Sequence, residues 1–149
     1  AWKLEKLAAL GAAHTIDSSK EEVVAAVHER FGKPRMGAKG GVDVVVNYIG
    51  GETWRESLRC LSPQGRMITC GASADYEPQT DIRYIWTYEH TIIGSNGWMP
   101  ADQIALLELV ASGDLDPVIH AVRPLEETGA SIRELAERKV VGKTIIEPR

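Results

Sequence analysis

The fold is decided by one stretch of sequence, GVDVVVNYIGG at residues 41–51. Its valines and isoleucine predict a strand over residues 42–49 that is covered on both faces, as in a parallel sheet flanked by helices. Two shorter runs have the same design, RMITCG at residues 66–71 and HTIIG at residues 90–94. Each run ends on glycine. Because ligands of open α/β sheets bind beyond the carboxyl ends of the strands, these ends are the candidate site.

The segments around these runs have helical spacing or short apolar runs, and Gly or Pro residues separate them. We predict a first helix that stops at Gly11, a short strand over residues 14–17, and a second helix with its N-cap at Ser18 or Ser19. Further helices are predicted at residues 52–61, 81–89, 100–112 and 125–138, and further strands at residues 118–122 and 142–146. The alternation predicts one α/β unit with a terminal β-α-β extension.

Composition limits the classes of partner. The chain has 149 residues and a net charge of −4, and its Lys and Arg residues are scattered, which argues against nucleic-acid binding. No apolar run reaches the roughly 18 residues of a membrane span, and no charged leader precedes the first helix. We therefore expect a soluble, cytoplasmic protein that does not enter a membrane.

The residues that most often carry chemistry are dispersed. Cys60 and Cys70 lack metal-ligand spacing, and we expect both to be buried, reduced thiols. The four histidines fall in different predicted elements, which predicts no metal site in this chain; they are His14, His28, His90 and His120. No base and nucleophile are paired in the sequence, so catalytic residues are not assigned. Four of the aromatic residues are expected to pack against the sheet or a subunit interface; they are Tyr84, Trp86, Tyr88 and Trp98.

Six short motifs carry a family resemblance through their order and spacing. They are KLAALGA at residues 6–12, GVDVV at 41–45, LSPQGR at 61–66, GS at 94–95, LDP at 115–117 and GK at 142–143. Together they resemble the carboxyl-terminal part of medium-chain dehydrogenases/reductases, the superfamily of zinc-type alcohol dehydrogenases and zinc-free quinone oxidoreductases. The resemblance covers nearly the whole chain and implies a doubly wound parallel sheet of the Rossmann type.

The same resemblance implies that part of that sheet is missing. The family's glycine-rich turn follows the first Rossmann strand, and no G-x-G-x-x-G occurs here. We therefore expect a partial Rossmann fold that lacks its first two strands, with an incomplete nucleotide-binding domain over residues 1–113. Residues 114–149 would form a β-α-β segment returning to the catalytic domain. Either the chain is part of a longer protein or its open strand edges pair between chains, and we expect the 149 residues alone to bind NAD(P)H weakly or not at all.

The resemblance also implies cofactor contacts, residue by residue, at the three strand ends and at one lysine. They are Tyr48, Ile49 and Gly50 near the adenosine; Cys70, Gly71 and Ala72 against the nicotinamide ribose and carboxamide; Ser95, Asn96 and Gly97 at the carboxamide; and Lys143 at the pyrophosphate. The side chain of Asn47 is expected to satisfy neighbouring backbone groups instead of binding a ligand.

The activity implied by the resemblance is hydride transfer between the nicotinamide of NAD or NADP and an alcohol, a carbonyl or an activated alkene. Zinc, where the parent protein uses it, would be bound outside this chain. A small-molecule substrate and a homo-oligomer formed through the edge strand at residues 91–95 are implied as well. The alternative is a non-catalytic α/β binding or dimerisation module. A phospho-receiver domain is disfavoured because Asp43 stands at the amino end of its strand.

Overall fold

The computed structural model describes residues 2–97 and 99–148. The chain divides into two compact units, Ala1–Gly97 and Trp98–Arg149. The helix at residues 100–112 thus belongs to the second unit, whereas the family resemblance places it at the end of the nucleotide-binding domain. The assignment of residues 1–113 and 114–149 to two family domains stays a prediction.

The described residues of the first unit form four helices and three strands. They are α1 (Trp2–Ala9), α2 (Val23–Phe31), β1 (Val42–Asn47), α3 (Glu52–Cys60), β2 (Leu61–Thr69), α4 (Ile82–Thr87) and β3 (Thr91–Gly94). The strands form one parallel sheet in the order β1-β2-β3. Parallel strands joined through helices confirm the α/β class and the partial Rossmann architecture.

The second unit confirms the β-α-β extension. Its elements are α5 (Pro100–Ser112), β4 (Ile119–Pro124), a 3₁₀ turn (Leu125–Glu127), α6 (Thr128–Ala136) and β5 (Lys143–Glu147). Strands β4 and β5 pair in parallel. Arg123 of β4 donates to both carboxylate oxygens of Glu134 in α6, at 2.9 and 2.8 Å, which fastens the helix to the strand.

Two predictions at the start of the chain are wrong. Residues 14–17 form no strand, because a strand exists only through a partner and none of the described strands pairs with this segment. Helix α2 is capped by Glu22, whose carboxylate accepts a hydrogen bond from the N–H of Ala25 at 2.7 Å. Ser18 and Ser19 lie before this cap position, and the Ser19 hydroxyl instead donates to Asp17 at 2.6 Å.

The core of the first unit consists of two small clusters. Val24 and Val27 of α2 pack with Cys60, and the second cluster is Leu58, Leu61 and Met67. Two side chains of α4, Tyr84 and Ile85, also pack against the second cluster. The packing of Tyr84 agrees with the expectation for this aromatic residue. Trp86 is instead 70% exposed, and Trp98 lies outside the described residues.

Strand β1 is less covered than its valines predict. Val44 and Val46 are 44% and 57% exposed, so the prediction of a strand buried on both faces is wrong for the chain as described. A strand is buried only where neighbouring elements cover it, and a run of valines does not by itself provide that cover. No described helix is both long enough and apolar enough to cross a membrane.

Candidate functional site

The register of the sheet brings the three predicted strand ends together. Asn47 pairs with Thr69, and Thr69 pairs with Gly94, so the next residue of each strand emerges at one edge. Two hydrogen bonds continue the ladder past the strands: the Cys70 N–H donates to the Asn47 carbonyl at 3.3 Å, and the Ser95 N–H donates to the Thr69 carbonyl at 2.8 Å. The nine predicted contact residues at the strand ends therefore begin along a single carboxyl edge.

Asn47 organises the turn at the end of β1. Its side chain is buried, with 5% exposure. The Oδ1 atom accepts from the N–H groups of Ile49 and Gly50 at 3.0 and 2.9 Å. The Nδ2 group donates to the hydroxyl oxygens of Thr53 and Ser57, both on α3, at 3.1 and 2.8 Å. The expectation that Asn47 satisfies neighbouring backbone groups agrees with this pattern, although the two bonds to α3 were not foreseen.

A segment that the sequence presents as an ordinary loop, residues 72–80, lies against this turn; we call it the strap. The Ala74 N–H donates to the Ile49 carbonyl at 2.8 Å, and the Gly51 N–H donates to the Asp75 carbonyl at 3.0 Å. Further along, the indole N–H of Trp54 donates to the Thr80 hydroxyl at 3.0 Å. The strap therefore continues the pairing of the sheet beyond β1. No periodicity in its sequence signals this role.

The glycines at the strand ends are required for different reasons. A Cβ at Gly50 would overlap the carbonyl oxygen of Asp75 in the strap, and one at Gly71 would lie 3.0 Å from the Tyr48 carbonyl oxygen. Packing of the protein on itself therefore accounts for these two glycines. Gly97 has φ +63°, a conformation that favours glycine. At Gly94 a Cβ would meet no described atom within 4 Å, so open space lies next to that strand end.

The side chains at the end of β1 are uncharged. Tyr48 and Ile49 are 60% and 39% exposed, and they line one end of a groove of about 700 Å³ between α2 and β1. The groove is lined mainly by apolar side chains, and Glu21, Glu22 and Glu56 also line it. Most of the other predicted contact residues are exposed, namely Cys70, Gly71, Ala72, Ser95, Asn96 and Gly97, whereas Gly50 is buried in the turn. The prediction that Cys70 is buried is wrong, because β2 ends at Thr69 and leaves the thiol beyond the cover of the sheet.

Two groups whose pKa values are shifted mainly by burial lie away from this edge. Burial raises the pKa of Cys60 to about 11, with Glu56 and Glu22 adding to the effect. Burial also lowers the pKa of His90, which precedes β3 at the opposite end of that strand. These shifts mark structural positions, and they assign no acid or base to the candidate site.

Comparison with known proteins identifies the family. The family model described as zinc-binding dehydrogenase matches residues 1–112. The chain belongs to the zinc-binding dehydrogenase family. Family membership confirms the resemblance to the carboxyl-terminal, cofactor-binding portion of the medium-chain dehydrogenases/reductases. The residues matched by the family model include all three strand ends of the first unit and do not include Lys143.

Three similar proteins illustrate the range of this dehydrogenase family. Crotonyl-CoA reductase from Streptomyces avermitilis is 32% identical over 127 residues, which are 81% of this chain and 28% of that protein. A solved NAD-dependent alcohol dehydrogenase is 28% identical with a TM-score of 0.82, and the match covers 99% of this chain and 41% of that one. A 2-octenoyl-CoA carboxylase reductase, solved with NADP and 2-octenoyl-CoA, is 32% identical with a TM-score of 0.67 over 72% of this chain and 24% of that one. The chain thus spans less than half the length of each.

The zinc in the family's name does not fit the residues described in this chain. Within residues 2–97 and 99–148 there is no group of three or more His, Cys, Asp or Glu side chains that could hold a metal ion. Lys143 is an exposed residue at the start of β5 in the second unit, and its contact with a pyrophosphate stays a prediction.

Proposed function

We propose that this chain forms part of the cofactor-binding surface of an NAD(P)-dependent oxidoreductase. The observation that carries the proposal is the register of Asn47, Thr69 and Gly94, which aligns three strand ends at one carboxyl edge. The open space beside Gly94 and the exposed Tyr48 ring fit a flat ligand at this edge. The family, the NAD-dependent alcohol dehydrogenase and the carboxylase reductase solved with NADP support the choice of ligand.

Each strand end would hold a different part of the cofactor. Tyr48 and Ile49 offer apolar surface to the adenosine, and the exposed backbone of Gly71 faces the nicotinamide ribose. Polar main-chain groups at Ser95 and Asn96 would hold the carboxamide and fix which face of the ring is presented. The cofactor, when bound, supplies or accepts the hydride, and this chain contributes orientation and exclusion of water from one side.

For the whole protein we propose hydride transfer to an activated alkene conjugated to a thioester. Two of the compared proteins, both 32% identical, carry names of reductases acting on unsaturated acyl-CoA. Transfer between an alcohol and a carbonyl is the second candidate, supported by the TM-score of 0.82 to an alcohol dehydrogenase. Oxidation of NADH and NADPH, followed at 340 nm with crotonyl-CoA or acetaldehyde as acceptor, distinguishes the two reactions.

Protection of Cys70 tests cofactor binding without relying on turnover. The thiol is exposed at the proposed nicotinamide end, so bound NADH or NADPH should slow its alkylation by iodoacetamide at least tenfold. Cys60 is the internal control, because burial and a pKa of about 11 keep it unreactive at pH 8 with or without cofactor. Peptide mass spectrometry of the protein produced from its own gene reads both sites. Equal alkylation of Cys70 with and without saturating cofactor would contradict the proposed site.

We further propose a cytoplasmic homo-oligomer that pairs through residues 91–95. Among the described strands, β3 ends the order of the first sheet and pairs only with β2, and Ile92 and Ile93 on it are 36% and 40% exposed. The two free cysteines agree with a reducing compartment. Sedimentation of the wild-type protein and of an Ile92→Lys variant tests the interface, and an unchanged oligomer in the variant would exclude this edge.

A further inference from the structure

The Asn47 side chain uses all of its hydrogen-bonding capacity within the turn after β1 and α3. Both lone-pair sites of Asn47 Oδ1 accept backbone N–H groups, and both hydrogens of Nδ2 are donated to α3. Two further hydrogen bonds extend this network. The Thr53 hydroxyl donates to the Gly50 carbonyl at 2.7 Å, and the Ser57 hydroxyl donates to the Thr53 carbonyl at 2.7 Å. A single buried carboxamide therefore connects the end of the strand to the first two turns of the helix.

This network decides what the turn offers to a ligand. Three consecutive N–H groups, those of Ile49, Gly50 and Gly51, precede the first residue of α3. Such groups commonly bind phosphate at a strand-to-helix turn. Here the first two donate to Asn47 and the third donates to the Asp75 carbonyl, at 3.0, 2.9 and 3.0 Å. The turn therefore presents side-chain surface, from Tyr48 and Ile49, where it would otherwise present hydrogen-bond donors to an anion.

We propose that Asn47 is a positioning residue for the cofactor. It does not touch the ligand, since its side chain is only 5% exposed. Its role is to hold the backbone of Ile49 and Gly50 so that the Tyr48 and Ile49 side chains form a fixed, uncharged contact surface for the adenosine part. This inference rests on the proposed function, because such a surface matters only if a nucleotide binds at this edge.

Two substitutions at Asn47 separate its hydrogen-bonding role from its volume. Asn47→Leu keeps the approximate size of the side chain and leaves the two N–H groups without an acceptor. Asn47→Asp keeps the acceptor for the Ile49 and Gly50 amides. The Thr53 and Ser57 hydroxyls can donate to its second oxygen by turning away from the Gly50 and Thr53 carbonyls that they bond in the wild type. The matched control is Ser62→Ala. Ser62 is also buried, at 8% exposure, and it bonds Asp43 at the opposite end of the same strand pair, at 3.2 Å.

The first readout is cofactor affinity in the protein produced from its own gene. We expect Asn47→Leu to raise the dissociation constants of NADH or NADPH and of adenosine monophosphate about tenfold, the scale of one or two lost hydrogen bonds. Turnover at saturating cofactor should stay within about twofold, because the nicotinamide end is held elsewhere. Asn47→Asp should stay within about threefold of wild type in affinity, and Ser62→Ala should leave affinity unchanged. Unchanged affinity in Asn47→Leu, or an equal loss in Ser62→Ala, would overturn the positioning role.

A second readout does not depend on the cofactor. Hydrogen exchange at the Ile49 and Gly50 amides should be slow in wild type and in Asn47→Asp, and at least tenfold faster in Asn47→Leu. The reference is the Gln64 amide, which donates to the Tyr88 carbonyl at 2.7 Å near the opposite end of the sheet. Slow exchange in Asn47→Leu would show that Asn47 does not hold the turn. If wild type binds neither cofactor, the proposed function and the positioning role both fail. If wild type binds and Asn47→Leu binds equally well, the positioning role alone fails.

Discussion

Replacing Gly50 by alanine tests how the strap is attached to the candidate site. The backbone of Gly50 has φ +71°, and an added Cβ would overlap the Asp75 carbonyl oxygen and lie 3.1 Å from the Cβ of Ala72. Because the main obstructing atom belongs to the backbone, rotation of a side chain cannot relieve the overlap. The strap has to move away from β1, or the turn has to open.

The cost can be worked out from the contacts that would be lost. Holding alanine in the left-handed region costs roughly 1–2 kcal/mol. Displacing the strap breaks or weakens two hydrogen bonds, from Gly51 to Asp75 and from Ala74 to Ile49, at about 1 kcal/mol each. We therefore expect Gly50→Ala to lower the free energy of unfolding by roughly 2–4 kcal/mol, a severe loss for a single substitution.

Gly37→Ala is the matched control. Gly37 has φ +72°, nearly the same as Gly50, but a Cβ there would meet no described atom within 4 Å. It should therefore show only the conformational cost, about 1–2 kcal/mol. Urea unfolding followed by tryptophan fluorescence measures both variants, and Trp54 reports on the strap through its bond to Thr80. Equal destabilisation of the two variants would refute the claim that the strap is packed against Gly50.

Three further predictions address the sheet edge, its pH response and the second unit. Gly94→Ala should leave the free energy of unfolding unchanged or raise it by about 0.5 kcal/mol, since the added methyl meets no described atom, while weakening NADH or NADPH binding in a fluorescence titration. Burial lowers the pKa of His90 from its ordinary 6.5, so the folded state favours the neutral imidazole. The stability that neutral His90 contributes should be complete above about pH 6.5 and should decline as the pH falls through the folded pKa. His90→Gln should flatten that part of a stability–pH profile. Glu134→Gln should destabilise the second unit by about 1 kcal/mol in thermal unfolding at low salt, because it removes the charge that Arg123 binds through two nitrogen–oxygen contacts. An unchanged melting temperature would contradict this prediction.

Local patterns in the sequence were sufficient for much of the fold. The apolar runs ending at glycine predicted β1, β2 and β3, and the Pro100 start and Gly113 stop predicted α5. These signals are local because backbone conformation and side-chain period act within a few residues. The alignment of the three strand ends then follows from parallel pairing, which places all carboxyl ends on one side.

The remaining features depend on partners distant in sequence. Residues 14–17 have the composition of a strand, but a ladder requires a neighbouring strand. Exposure of Cys70 depends on where β2 ends, and the strap depends on backbone pairing between Asp75 and the turn after β1. Asn47 could be recognised as a polar residue inside an apolar strand, whereas its two bonds to α3 could be seen only after folding.

Titration with NADH and NADPH tests the proposed cofactor surface most directly. The protein produced from its own gene is titrated with each nucleotide while nicotinamide fluorescence is recorded, and adenosine monophosphate is then added as a competitor. We expect saturable binding of at least one nucleotide, with displacement by adenosine monophosphate and a weaker constant in Asn47→Leu. Absence of saturable binding for both nucleotides would contradict the assignment of this sheet edge as a cofactor site.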